Sequence, residues 1–136
     1  MSVPQVVQKV QCSGRRGLAE EVVRLVGDGP VQGLVVAGYD HNGRLCGVAM
    51  SPQHRALSWI KVWELDALAT ELGACSLAVL VFPIGPALTP TAHELAVFRD
   101  LLVRTRRAGF VLLDCLVRRG DRWWSLREMH EGRAGA

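Results

Sequence analysis

Residues 80–128, LVFPIGPALTPTAHELAVFRDLLVRTRRAGFVLLDCLVRRGDRWWSLRE, decide the fold. The stretch begins inside a continuous apolar run, SLAVLVF at 76–82, bounded by turn residues, which suits a central strand covered on both faces. A loop at 82–88 follows, stiffened by Pro83 and Pro86. Residues 91–108 carry Leu95, Phe98, Leu101 and Leu102 as one helical stripe, and Gly109 ends the helix. Thr91 and Glu94 stand three apart immediately before that stripe, the spacing of a capping box. The threonine hydroxyl accepts from the backbone N–H three residues on and the glutamate reaches back, a cap worth about 1 kcal/mol. Segments 111–118 and 122–126 then close the chain as a hairpin around Gly120 and Asp121.

Working outward toward the N-terminus, KVWELDALATEL at 61–72 places Val62, Leu65, Leu68 and Ala69 on one helical face. VQGLVVAGYD at 31–40 and LCGVAM at 45–50 form a hairpin across the turn Asp40, His41, Asn42, Gly43. Leu18, Val22, Leu25 and Val26 recur at helical spacing, predicting a helix over about 14–26, which Asp28, Gly29 and Pro30 break. Residues 3–10 suit a short leading strand. The resulting order is helix, two strands, helix, strand, helix, two strands. It predicts a mixed sheet packed with helices, an α/β or α+β sandwich, as one domain over residues 1–136 with its core at about 14–128 and a frayed tail at 132–136.

Composition narrows the function. About half the residues are hydrophobic and 21% are charged, so the chain has material for a core. No apolar run reaches the roughly 18–20 residues of a membrane span. The opening MSVPQVVQKVQC lacks a basic segment followed by an apolar one, so the expected location is the cytoplasm. Cys12, Cys46, Cys75 and Cys115 are too widely spaced for zinc knuckles. Cys46 and Cys75, inside apolar runs, are expected to behave as small buried hydrophobes. The net charge of +3 is modest for nucleic-acid binding. The arginines gather at Arg104, Arg106, Arg107 and at Arg118, Arg119, Arg122, which reads as a solvated helix end plus a hairpin turn.

Several short motifs within 80–128 carry a resemblance. Thr89-Pro90-Thr91-Ala92-His93-Glu94 follows the pattern T-P-S-x-x-D, and Leu113-Asp114-Cys115 follows a leucine-aspartate-histidine segment. Ser125-Leu126-Arg127-Glu128 matches a serine-leucine-arginine-glutamate ending, and Tyr39-Asp40 closes the first hairpin strand on an aspartate. With this order of elements, the chain resembles, over about 17–128, the C-terminal domain of the RadC-like branch of the JAB/MPN metalloprotease superfamily. The resemblance implies the JAB/MPN (cytidine-deaminase-like) architecture, and a family site of two histidines and an aspartate around zinc with a glutamate as general base. Counting back from Thr89-Pro90 puts Val81 and Pro83 at the two histidine positions, and counting back from Asp40 puts Gln32 at the glutamate position. Glu94 alone retains a ligand-type side chain. A catalytic zinc needs about three protein ligands and an open position, and a glutamine accepts no proton from bound water.

Relocated ligands are the remaining route to a metal. Glu94, Cys115 and a histidine are the candidates, His93 being adjacent to Glu94 and His41, His54 and His130 lying in a turn, a loop and the tail. Neighbouring residues on a helix point about 100° apart, so His93 and Glu94 converge poorly, and surface histidines with a core cysteine are the simpler reading. No histidine or aspartate is visibly paired with Cys115 as a nucleophile. On a strand Trp123 and Trp124 face opposite sides, so at most one lies in the core. With Arg118, Arg119 and Arg122 they form a candidate interaction surface, cross-strand packing being the alternative.

Three functional readings follow. The first is a non-catalytic domain of this kind, a binding or scaffold module without cofactor, for a protein partner or for itself as a homodimer. The second is a divergent zinc-dependent isopeptidase or protease. The third, which the resemblance implies through its DNA-repair association, is a nucleic-acid-binding module.

Overall fold

The structure, a computed structural model, describes residues 34–51, 57–83, 85–120 and 122–132. The expected strand at 3–10, the expected helix at 14–26, Gln32, His54 and most of the tail lie outside the described residues. The chain forms β1 (Leu34–Tyr39), β2 (Leu45–Ser51), a 3-10 turn (Leu57–Trp59), α1 (Val62–Leu72), β3 (Ser76–Val81), α2 (Ala92–Ala108), β4 (Val111–Arg119), β5 (Arg122–Ser125) and α3 (Leu126–His130). The sheet order is β2-β1-β3-β4-β5. β3 and β4 are parallel and the other neighbours antiparallel. This is the mixed α/β arrangement read from the sequence.

Local chemistry explains the turns. Asp40 Oδ1 accepts from the backbone N–H groups of Asn42 (2.8 Å) and Arg44 (3.0 Å), closing the β1–β2 connection as an Asx turn. Gly38 has a tighter reason. A Cβ there would stand 2.8 Å from the Ala74 Cβ and 3.0 Å from Leu72 Cδ1, so only glycine lets the end of α1 press against β1. The parallel β3–β4 pair requires a crossover, which α2 supplies.

All six β3 residues are buried, as the apolar run predicts. On the helix-covered face, Val36, Val79, Val81 and Val117 pack with Leu65, Phe98, Leu101 and Leu126. On the other face, Val35, Ala37, Tyr39, Leu80 and Leu116 form a second cluster with Phe82 and Trp123 against it. Phe98 has no exposed surface; burying such a side chain contributes roughly 1.5–3 kcal/mol.

Alternation breaks once, with a large consequence. Leu77 pairs with Leu112, but Ala78 pairs with Asp114, so Leu113 is an extra residue, a β-bulge. Counted without the bulge, Leu112, Asp114, Leu116 and Arg118 would face the helices. With it, the helix side carries Leu112, Cys115 and Val117, and the same alternation sends Arg119 there too.

Two expectations are corrected. Leu126 was expected to end the last strand, but it opens α3: the Ser125 hydroxyl accepts from Glu128 N–H at 3.1 Å and caps the helix. Cys75 is exposed because it stands in the turn before β3, and Cys46, opposite the β1–β2 irregularity, is only half-buried. Among the described residues, no helix is long and apolar enough to cross a membrane.

Candidate functional site

The parallel strands β3 and β4 end at the same side of the sheet, and three features meet there: the loop after β3, the first turn of α2 and Arg119 at the end of β4. The expected capping box is formed. Thr91 Oγ1 accepts from Glu94 N–H at 3.1 Å, and Glu94 Oε1 accepts from Thr91 N–H at 2.9 Å. Arg119 then donates to the same Oε1 from Nε (3.3 Å) and Nη2 (3.0 Å). Both partners are buried, their side chains 8% and 9% exposed. Nothing in the sequence reading anticipated this ion pair. The loop after β3 approaches the same guanidinium, for a Cβ on Gly85 would stand 3.6 Å from Arg119 Nη1.

The two histidine positions of the family offer no ligand. Val81 is wholly buried at the end of β3 and Pro83 is half-buried; neither side chain has a lone pair to give. His93 is exposed while its neighbour Glu94 is buried, so the two point apart. Cys115 lies in the core with no exposed surface. Burial first, and then the Asp114 and Glu94 charges, push its thiol well above the ordinary range. A metal ligand or nucleophile needs the thiolate, so Cys115 suits neither role. These residues do not fit zinc. Among the described residues, no group of three or more His, Cys, Asp or Glu is arranged to hold a metal ion. Alkylation with iodoacetamide followed by peptide mapping is expected to label Cys75 in the folded protein and Cys115 only after denaturation. Labelling of native Cys115 at the Cys75 rate would contradict this burial.

The other two motifs of the resemblance meet each other. Asp114 Oδ1 accepts from Cys115 N–H (2.6 Å) and Arg127 N–H (3.1 Å), and Oδ2 accepts from the Ser125 hydroxyl (2.6 Å). Arg127 in turn donates Nε to the Leu113 carbonyl and Nη2 to the Leu112 carbonyl at 3.0 Å. The network therefore grips the bulge itself. Burial raises the Asp114 carboxyl above its ordinary value, and the hydrogen bonds from Ser125, Arg127 and Cys115 offset this only in part.

The tryptophans of β5 are half-buried, on opposite sides as expected. Trp123 packs edge-on to Phe82 at 5.0 Å, with the Arg118 guanidinium 5.7 Å from its ring centroid. Trp124 is covered by Arg122 at 4.3 Å and donates its indole N–H to the Arg119 carbonyl at 3.4 Å. Of the candidate interaction surface, then, Arg119 faces inward to Glu94, and the others pair among themselves along the hairpin. His130 accepts from Arg99 at 3.1 Å, and His41 is exposed in the β1–β2 turn. A different aromatic pair is open to solvent: Trp59 and Trp63 are 68% and 65% exposed. The signal for Trp63 was its place off the apolar stripe of α1.

No protein-family model matches the chain, and no curated protein matches its sequence. Fold and site together define a mixed α/β domain in which a buried carboxylate–guanidinium pair joins a helix cap to the end of a parallel strand.

Proposed function

We propose that this chain is a non-catalytic domain of the RadC-like JAB/MPN kind, acting as a binding or scaffold module. One observation carries the reading: the Glu94 carboxylate already accepts from Thr91 and from the buried Arg119 guanidinium. A metal at Glu94 would have to use the other oxygen of a carboxylate whose Oε1 already holds a cation that belongs to the chain, bringing two positive charges together in a buried place, an expensive arrangement. Val81 and Pro83 at the family's histidine positions point the same way. So does the protonated core thiol of Cys115. The nucleic-acid reading is disfavoured because Arg118 and Arg122 stack on the tryptophans of their own hairpin.

Metal content measured by mass spectrometry tests the proposal, on untagged protein expressed in zinc-supplemented medium. Less than about a tenth of an equivalent is expected, since one carboxylate cannot hold a catalytic zinc. About one equivalent of zinc, lost in Glu94→Ala or Cys115→Ala, would overturn it and revive the peptidase reading.

A further inference from the structure

The outer surface of the helix layer is charged in halves and carries unusual apolar exposure. The helix α1 bears Glu64, Asp66 and Glu71 and no basic residue. Its exposed side presents Trp63, Asp66, Ala67, Thr70 and Glu71. The helix α2 ends in Arg104, Arg106 and Arg107, with Val103 51% exposed on the same outward side. Arg104 is paired with Asp100 at 3.0 Å. Among the described residues, Asp66, Glu71, Arg106 and Arg107 have no ion-pair partner. The turn holding Trp59 packs against α2, so the two exposed tryptophans and the α2 surface are neighbours.

The two helices run side by side in the same direction. Each leads through a glycine turn into one of two parallel strands, α1 by Gly73 into β3 and α2 by Gly109 into β4. Their ends are level, because Ser76 is in register with Val111 and Val111 N–H donates to the Cys75 carbonyl at 3.1 Å. Glu71 and Arg107 each stand one residue before the end of their helix. At about 1.5 Å per residue, Trp63 is roughly 14 Å above the end of α1, level with Arg99.

We propose that two copies of this chain associate through this face, α1 of one against α2 of the other. This rests on the binding-module reading and names its partner as a second copy. A two-fold axis running along the helices keeps heights unchanged while exchanging α1 for α2, so unlike charges meet. Glu71 then faces the partner's Arg107 and the partner's Arg106. Ala67 faces the partner's Val103, and Trp63 stands level with the partner's Arg99, whose Nε is engaged by its own chain's His130. The contact is isologous, so each pairing occurs twice. Ala67 and Val103 at its middle and Trp63 at one end supply the apolar surface that such a contact buries.

Sedimentation velocity over a concentration series tests the proposal. The wild type should pass from monomer to dimer with a dissociation constant on the order of 10 μM, as a modest two-helix contact allows. Trp63→Asp, Glu71→Arg and Arg107→Glu should each weaken association about tenfold or more. The double reversal, Glu71→Arg with Arg107→Glu, should restore most of it, because opposite charges again face each other. All three sites are solvent-facing, so unchanged circular dichroism and melting would confirm that each variant folds. A wild type that stays monomeric to hundreds of micromolar overturns the proposal, as does a dimer indifferent to Trp63→Asp and to both reversals. Zinc content reads the scaffold proposal separately: a zinc-free monomer removes the self-association and leaves the binding module seeking another partner.

Discussion

Arg119→Ala is expected to lower the unfolding free energy by about 3–5 kcal/mol, the range for removing one partner of a buried ion pair. The substitution leaves the Glu94 carboxylate buried with only the Thr91 donors for company. Glu94→Gln should also destabilise, by leaving the guanidinium as the uncompensated charge while the amide oxygen keeps the cap. The pair is costly to break, but its net worth is smaller. Glu94→Gln combined with Arg119→Met should therefore recover much of what either single change loses, since neither buried charge then remains. Chemical unfolding at constant denaturant slope measures all three. A loss below about 0.5 kcal/mol for Arg119→Ala would mean that water reaches the pair and screens it, as at exposed sites. It would also remove the main support for a chain-supplied cation in place of a metal.

The parts of this site that were legible in the sequence are the local ones. Thr91 and Glu94 form a capping box within one helical turn, so their spacing alone announced it. The apolar run of β3 likewise needed no partner to be read, and its burial on both faces followed. Arg119 was invisible for a physical reason. Strict alternation from Leu112 would have sent Arg118, not Arg119, toward the helices, and the bulge at Leu113 reverses that choice. Bulges leave little trace in an apolar run such as VLLDCLV, where either face accepts the next leucine or valine. The last helix was missed because Ser125 and Leu126 were read as the close of a strand and as part of a family ending. Its cap geometry, with Glu128 three residues on, is a start signal that the strand reading overrode. Motif resemblance found Asp114 and Arg127 but attached them to a family pattern. Their hydrogen bonds show what they do in this chain, which is to hold the bulge.

Asp114→Ala should be the second severe variant, at about 2–4 kcal/mol, because two backbone N–H groups and the Ser125 hydroxyl lose their acceptor together. The effect should spread beyond the cavity. Asp114 holds Arg127, Arg127 holds the carbonyls of Leu112 and Leu113, and the bulge between them places Arg119 on the side of Glu94. Loosening the bulge therefore weakens an ion pair at the far end of the same strand. In an Asp114→Ala background, the coupling between Glu94 and Arg119 should fall well below its wild-type value in a double-mutant cycle. Undiminished coupling would show that the register of β4 is held by its strand neighbours without Arg127. Protonation gives an independent check. The folded carboxyl of Asp114 binds its proton more tightly than the unfolded chain does. Its contribution is thus fully present below the unfolded value of about 3.9 and is lost as pH rises through the raised folded value. The stability difference between wild type and Asp114→Asn should accordingly favour the wild type more at about pH 4 than at about pH 7. A difference moving the opposite way would mean that the hydrogen bonds from Ser125, Arg127 and Cys115 outweigh burial at this carboxylate.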